Sequence, residues 1–126
     1  MITIRSALAL CLIALFTVSC ATTQSRYSML GDSYIPPSPK HDGCDVQILR
    51  DETPQRPFVR ISRLDVHLEK THFIGSSLDD ALPELKKQAR LSGADAIIAI
   101  QENSSMMGET RIYHVTATGI RYTDSK

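Results

Sequence analysis

The sequence predicts an α+β domain in which one helix packs on one face of a four-stranded, mostly antiparallel sheet, in the order ββαββ. Three observations lead there. Apolar residues recur at every second position around residues 44–49, 58–69 and 111–122, the period at which one face of a strand is buried. A single stretch, Ser77 to Gly93, carries its apolar residues at helical spacing instead. One helix of four to five turns covers one side of a sheet, so the helix and the apolar faces of the strands form two layers around one core.

The first strand reads Cys44, Asp45, Val46, Gln47, Ile48, Leu49. Cys44, Val46 and Ile48 fall on one side, which points Cys44 into the core as a small buried hydrophobe. A polar turn, Asp51 to Pro57, leads to the second strand, Phe58 to Glu69. Its apolar positions change parity, from Val59 and Ile61 to Leu64, Val66 and Leu68. A slip of one residue would turn half the strand wrong side out, so a bulge or bend is expected at Ser62 and Arg63.

In the helix, Leu78, Leu82, Leu85 and Ala89 share one stripe, acids stand at the start and bases near the end, and Gly93 supplies a left-handed stop. Pro83 has no amide hydrogen to give, which puts the start of regular helix around Asp79 or Asp80. Ala94 to Ile100, apolar apart from Asp95, is a run suited to a central strand. Residues 101–110 read as a loop, and Arg111 to Tyr122 as the last strand, with a second bulge expected at Gly119.

What precedes the domain has a different composition. Met1 to Arg5 carries one positive side chain and is followed by an apolar stretch from Ala7 to Val18, the n-region and h-region of a secretory signal. That stretch falls short of the ~20 apolar residues that span a bilayer. Thr17, Val18, Ser19 and Cys20 are similar to the lipobox of bacterial lipoproteins, with threonine where leucine is usual. The resemblance implies cleavage after residue 19 and a lipid on Cys20. A diacylglycerol with an added acyl chain supplies the two or more chains that stable anchoring needs. Ala21 after the cysteine, rather than aspartate, implies delivery to the periplasmic face of the outer membrane. Residues 20–43, rich in Ser, Thr and Pro, read as a tether between this lipid and a domain spanning 44–126.

Composition narrows the chemistry. Removal of Arg5 with the signal leaves one more acid than base, and no basic cluster of the kind that binds nucleic acid. Of three cysteines, Cys11 is discarded and Cys20 modified, so Cys44 has no intramolecular disulfide partner and the small domain rests on its core. No nucleophile-elbow, dinucleotide, phosphate-loop or zinc-protease motif is present, so no catalytic residue is assigned. The one metal-like constellation is His67 and Glu69, with Asp65 on the same strand face and His72 in the following loop. Its ordinary reading is a solvated strand face. His41 with Cys44 is a thinner version of the same idea, and His114 reads as a strand residue.

The segment Leu85 to Ile98, with Gly93, Ala94 and Asp95 between helix and strand, and the later Thr118, Gly119 and Ile120, resembles small envelope domains of the RcsF-like and YbjQ-like kind. The resemblance implies a compact sheet-plus-helix fold. The second group is described as heavy-metal-binding, whereas the disulfide cysteines of the first, a class of outer-membrane stress sensors, are missing here. Two functions follow as expectations. One is a non-catalytic outer-membrane lipoprotein, a tethered module that interacts with an envelope protein or with itself, or acts as a sensor. The other is a periplasmic domain that binds a metal or small ligand through His67, Glu69 and His72.

Overall fold

A computed structural model describes residues 21–31, 38–41, 43–71 and 75–124. The signal segment 1–19, Cys20 and His72 lie outside the described residues. The elements are β1 (Thr22–Met29), β2 (Gln47–Ile48), β3 (Phe58–Thr71), α1 (Leu78–Ser92), β4 (Ala96–Met107) and β5 (Thr110–Tyr122). The fold is α+β with one helix, and the sheet has five strands in the order β1-β3-β5-β4-β2. All pairings are antiparallel except β2 with β4, so the sheet is mixed. Among the described residues no helix is long and apolar enough to cross a membrane.

The fifth strand comes from the segment assigned to a tether. Thr22–Met29 pairs along its whole length with β3, from Thr22 opposite Glu69 to Met29 opposite Ser62. Its only large apolar residues are Tyr27 and Met29, too few to mark a strand, and contacts with α1 and the core hold it as well. Ser25 donates to Glu84 of α1 and accepts from the buried Gln88 at 2.8 Å, and Met29 packs on the core. The strand expected at 44–49 shrinks to two residues. Cys44 does not point into the core: it is half-buried in a turn closed by its own amide on the His41 carbonyl, and Val46 and Leu49 supply the buried side chains.

The helix begins at Leu78, a residue or two before the expected start, with Pro83 in its second turn. The Asp80 carboxylate accepts from the Ser77 amide at 2.9 Å, which satisfies one of the free N–H groups of the first turn. At the other end Gly93 adopts φ 80°, its amide bonds the Arg90 carbonyl, and the Ala94 amide bonds that of Ala89. This is a Schellman stop, and it aims the chain straight into β4. Asp95 then ties the junction: its carboxylate accepts from the Tyr122 amide and pairs with Lys40, and its own amide bonds Ile120.

The parity change in β3 is a bulge at Ile61, one residue before the expected place, with Ile61 and Ser62 both buried. Gly119 has no register break of its own and faces that bulge, opposite Ser62. A methyl group on Gly119 would come within 2.3 Å of the Ser62 hydroxyl. The glycine leaves room for a buried chain in which Ser62 meets the Ser92 hydroxyl at 2.8 Å and Ser92 donates to the Ala89 carbonyl. Where a loop was expected, β4 continues to Met107 and turns back through Gly108, at φ 61°, and Glu109. A positive-φ glycine in a two-residue connection is what the tight turns of hairpins require. A second bulge interrupts β4 between Ile98 and Gln101, where Ala99 sits at φ 52°.

The core lies between α1 and the sheet, centred on Ile61, Leu64, Val66, Leu85, Ile97 and Val115. The opposite face of the sheet is closed at one end only. There Leu49, Ala96, Ile98 and Ile120 form a second buried cluster with Phe58 and Tyr122 packed against it. The rest of that face is open.

Candidate functional site

The open part of the sheet brings together three strands whose outward side chains are polar. Register places His67 of β3 between Gln24 of β1 and His114 of β5, and Asp65 between Arg26 and Thr116. Residues at alternate positions share a face, so Asp65, His67 and Glu69 form one column beside His114. The structure confirms the shared face of these three and adds His114, which the sequence offered only as a strand residue. Helix α1 separates β3 from β5 in the chain, and no spacing rule sets the register of strands so far apart. The one legible signal was that His67 and His114 both occupy polar positions of their strands.

The two imidazole rings meet edge to face, with centroids 6.0 Å apart. Each is held by a carboxylate: His67 Nε2 lies 2.9 Å from Glu69 Oε1, and His114 Nε2 lies 2.9 Å from Asp65 Oδ1. An ionised carboxylate only accepts, so each Nε2 carries the proton, and in the neutral ring Nδ1 is left as a lone-pair donor. Thr22 also donates to Glu69, at 3.2 Å. The His67 hydrogen bond first, and then that of Thr22, holds the Glu69 carboxyl below the usual carboxylate range. The Arg26 guanidinium stands 3.8 Å from the second Asp65 oxygen. A depression of about 330 Å³ is lined by Gln24, Ser25, Arg26, Asp65, His67 and His114.

Asp65 is the most enclosed member, at 18% exposure, while His67, Glu69 and His114 are 32 to 40% exposed. The arrangement is two carboxylate–imidazole pairs side by side. Among the described residues no three His, Cys, Asp or Glu side chains already surround a single point. The weaker pair from the sequence does meet: Cys44 Sγ lies 3.4 Å from His41 Nδ1, well away from this face. Elsewhere, burial and then a hydrogen bond to Glu102 push the Tyr113 phenol well above its ordinary value, so it stays a neutral donor that braces β5 against β4.

Comparison of the chain with family models, curated proteins and solved structures finds no significant match.

Proposed function

We propose that this chain is a non-catalytic, lipid-anchored module of the bacterial cell envelope that acts by binding, and that the open face around His67 and His114 is the surface it binds with. Its anchor is Cys20, and Ala21 after it favours the periplasmic face of the outer membrane. The observation that carries the reading is the contrast on one side of the sheet. The chain covers the apolar end of that side and leaves the end bearing Asp65, His67, Glu69 and His114 accessible. A partner could be another envelope protein or a second copy.

A photo-crosslinking residue at Thr116, on the open face, should yield a discrete adduct in intact cells, while one at Lys87 on the outer side of α1 should not. Adducts from Lys87 alone would move the binding surface to the helix. Labelling with a radioactive fatty acid tests the anchor, since a Cys20→Ser chain that still takes up label would sink it.

One observation favours a second reading, a divalent transition metal on the same face. Each imidazole has a carboxylate on one ring nitrogen, the outer-partner pattern seen where the other nitrogen binds metal. Imidazole suits zinc, copper and nickel, and His114 would then replace His72 as the partner of His67. Titration of the full chain with Zn²⁺, Cu²⁺ or Ni²⁺ should show one site that is lost in His67→Ala and in His114→Ala. Asp65→Asn should weaken it by about 10–100-fold. Uptake that survives both histidine substitutions would end this reading.

A further inference from the structure

The N-terminal end of β1 and the tip of the β4–β5 hairpin lie at the same end of the sheet. Thr22 is opposite Glu69, Glu69 opposite Ile112, and Ile112 opposite Ser105, so one row crosses four strands. Cys20 stands two residues before that row and Met107 two residues after it. Two residues of extended chain cover at most about 7 Å, so the lipid attachment point is within that length of chain from Thr22, and Met107 within that length from Ser105. Along the row, Thr22 and Ser105 are three strand spacings apart, roughly 14 Å.

The tip carries two exposed apolar side chains in succession. Met106 is 47% and Met107 68% exposed, the highest values among the large exposed hydrophobic residues of the described chain. Methionine is flexible and adapts to irregular apolar surroundings. Gly108 and Glu109 complete the turn, so the tip offers two thioether side chains and one acid rather than a basic patch.

We infer that the hairpin tip is a second point of membrane contact. Met106 and Met107 enter the interfacial layer beside the lipid on Cys20 and seat the domain end-on at the bilayer surface. The inference rests on the reading of Cys20 as lipidated. Because β1 begins at Thr22, only Ala21 separates the anchor from folded chain, and the domain cannot be held off the membrane as a tether would hold it. The His67–His114 row stands two residues, about 7 Å, above the Thr22 row. The contact is chiefly apolar and carries the acid Glu109 rather than a base, so anionic lipid does not strengthen it.

The sequence contains no tryptophan, which makes Met107→Trp a single reporter at an exposed position. Val59→Trp, at the second residue of β3 and the far end of the sheet, is the control; Val59 is 41% exposed. Full-length chains isolated from membranes are reconstituted into phosphatidylcholine vesicles with and without brominated acyl chains, and fatty-acid labelling is scored in parallel. Insertion ~5–10 Å into the headgroup–acyl boundary should quench the Met107→Trp emission by about twofold or more and leave Val59→Trp unchanged. Hydrogen exchange on the unsubstituted chain should show vesicle-dependent protection around residues 106–110, which covers the case of a reporter that misfolds. A labelled chain that floats with vesicles but shows neither effect overturns the seat and leaves the anchor standing, as does one whose tip crosslinks to a second copy instead. A chain without label on Cys20 removes the anchor, and the seat with it.

Discussion

The open side of the sheet has two ends that share a backbone and differ in almost everything else. At one, Ile98, Ile120 and Leu49 are buried with Phe58 and Tyr122 over them. At the other, Asp65, His67, Glu69 and His114 remain partly exposed and bond only to one another and to β1. Both ends alternate with the same period, and the difference is whether another stretch of chain crosses over them. Cover, rather than periodicity, separates the closed end from the end left open.

The contrast can be broken most directly by truncation at each end. Ile120→Ala, at a fully buried position, should cost about 2–5 kcal/mol in urea unfolding. His67→Ala should stay within about 0.5 kcal/mol while abolishing the adduct or metal site on that face. Equal costs would mean that the His67 end is structural too. Next in size is Gly119→Ala, which drives a methyl group against the buried Ser62 hydroxyl and should cost about 1–3 kcal/mol. Adding Ser62→Ala should restore part of that loss; strictly additive costs would show that the clash lies elsewhere.

A smaller effect is expected at the β4 bulge, next to the covered end. Ala99 at φ 52° carries a left-handed strain of about 1–2 kcal/mol, and glycine's own entropy cost of about 0.5–1 kcal/mol offsets part of the relief. Ala99→Gly should therefore raise the melting temperature slightly, and a drop would mean that the methyl group makes contacts worth more than the strain.

The smallest effect is the acid response of the exposed carboxylates. Glu69 is held below its ordinary value of 4.5 by His67 and Thr22, and Asp80 below 3.8 by the Ser77 amide and then Lys70. A carboxylate more acidic in the folded state adds stability that is present above its unfolded value and is lost as pH falls through the folded one. Stability should therefore decline as pH drops through and below those two values. The Glu69→Gln/Asp80→Asn double variant should show a shallower decline in the same denaturant series, and an unchanged slope would assign the acid response to other groups.

The helix, its glycine stop and the long β3 and β5 strands were legible because each buries an apolar stripe of the right period. Two features were not. Strand β1 is polar from Thr22 to Arg26, with only Tyr27 and Met29 apolar, and is held chiefly by its ladder to β3 and by Ser25 on α1, so hydropathy gave too short a pattern to mark it. The outer half of β4, Gln101 to Met107, is exposed on both faces and read as a loop for the same reason. At the candidate site the column Asp65, His67, Glu69 followed from alternation alone. The meeting of His67 with His114 depended on a register set across an intervening helix.

The strand order has a consequence for how the chain is made. Strand β5, the last of the described elements in chain order, is the middle strand of the five, with β1-β3 on one side and β4-β2 on the other. Without it the two halves, joined through α1, share no strand ladder, so the five-stranded sheet cannot close before β5 is present. If the chain is exported unfolded, as the lipoprotein reading proposes, a joining strand so late in the order of elements delays completion of the sheet until the other four strands have crossed.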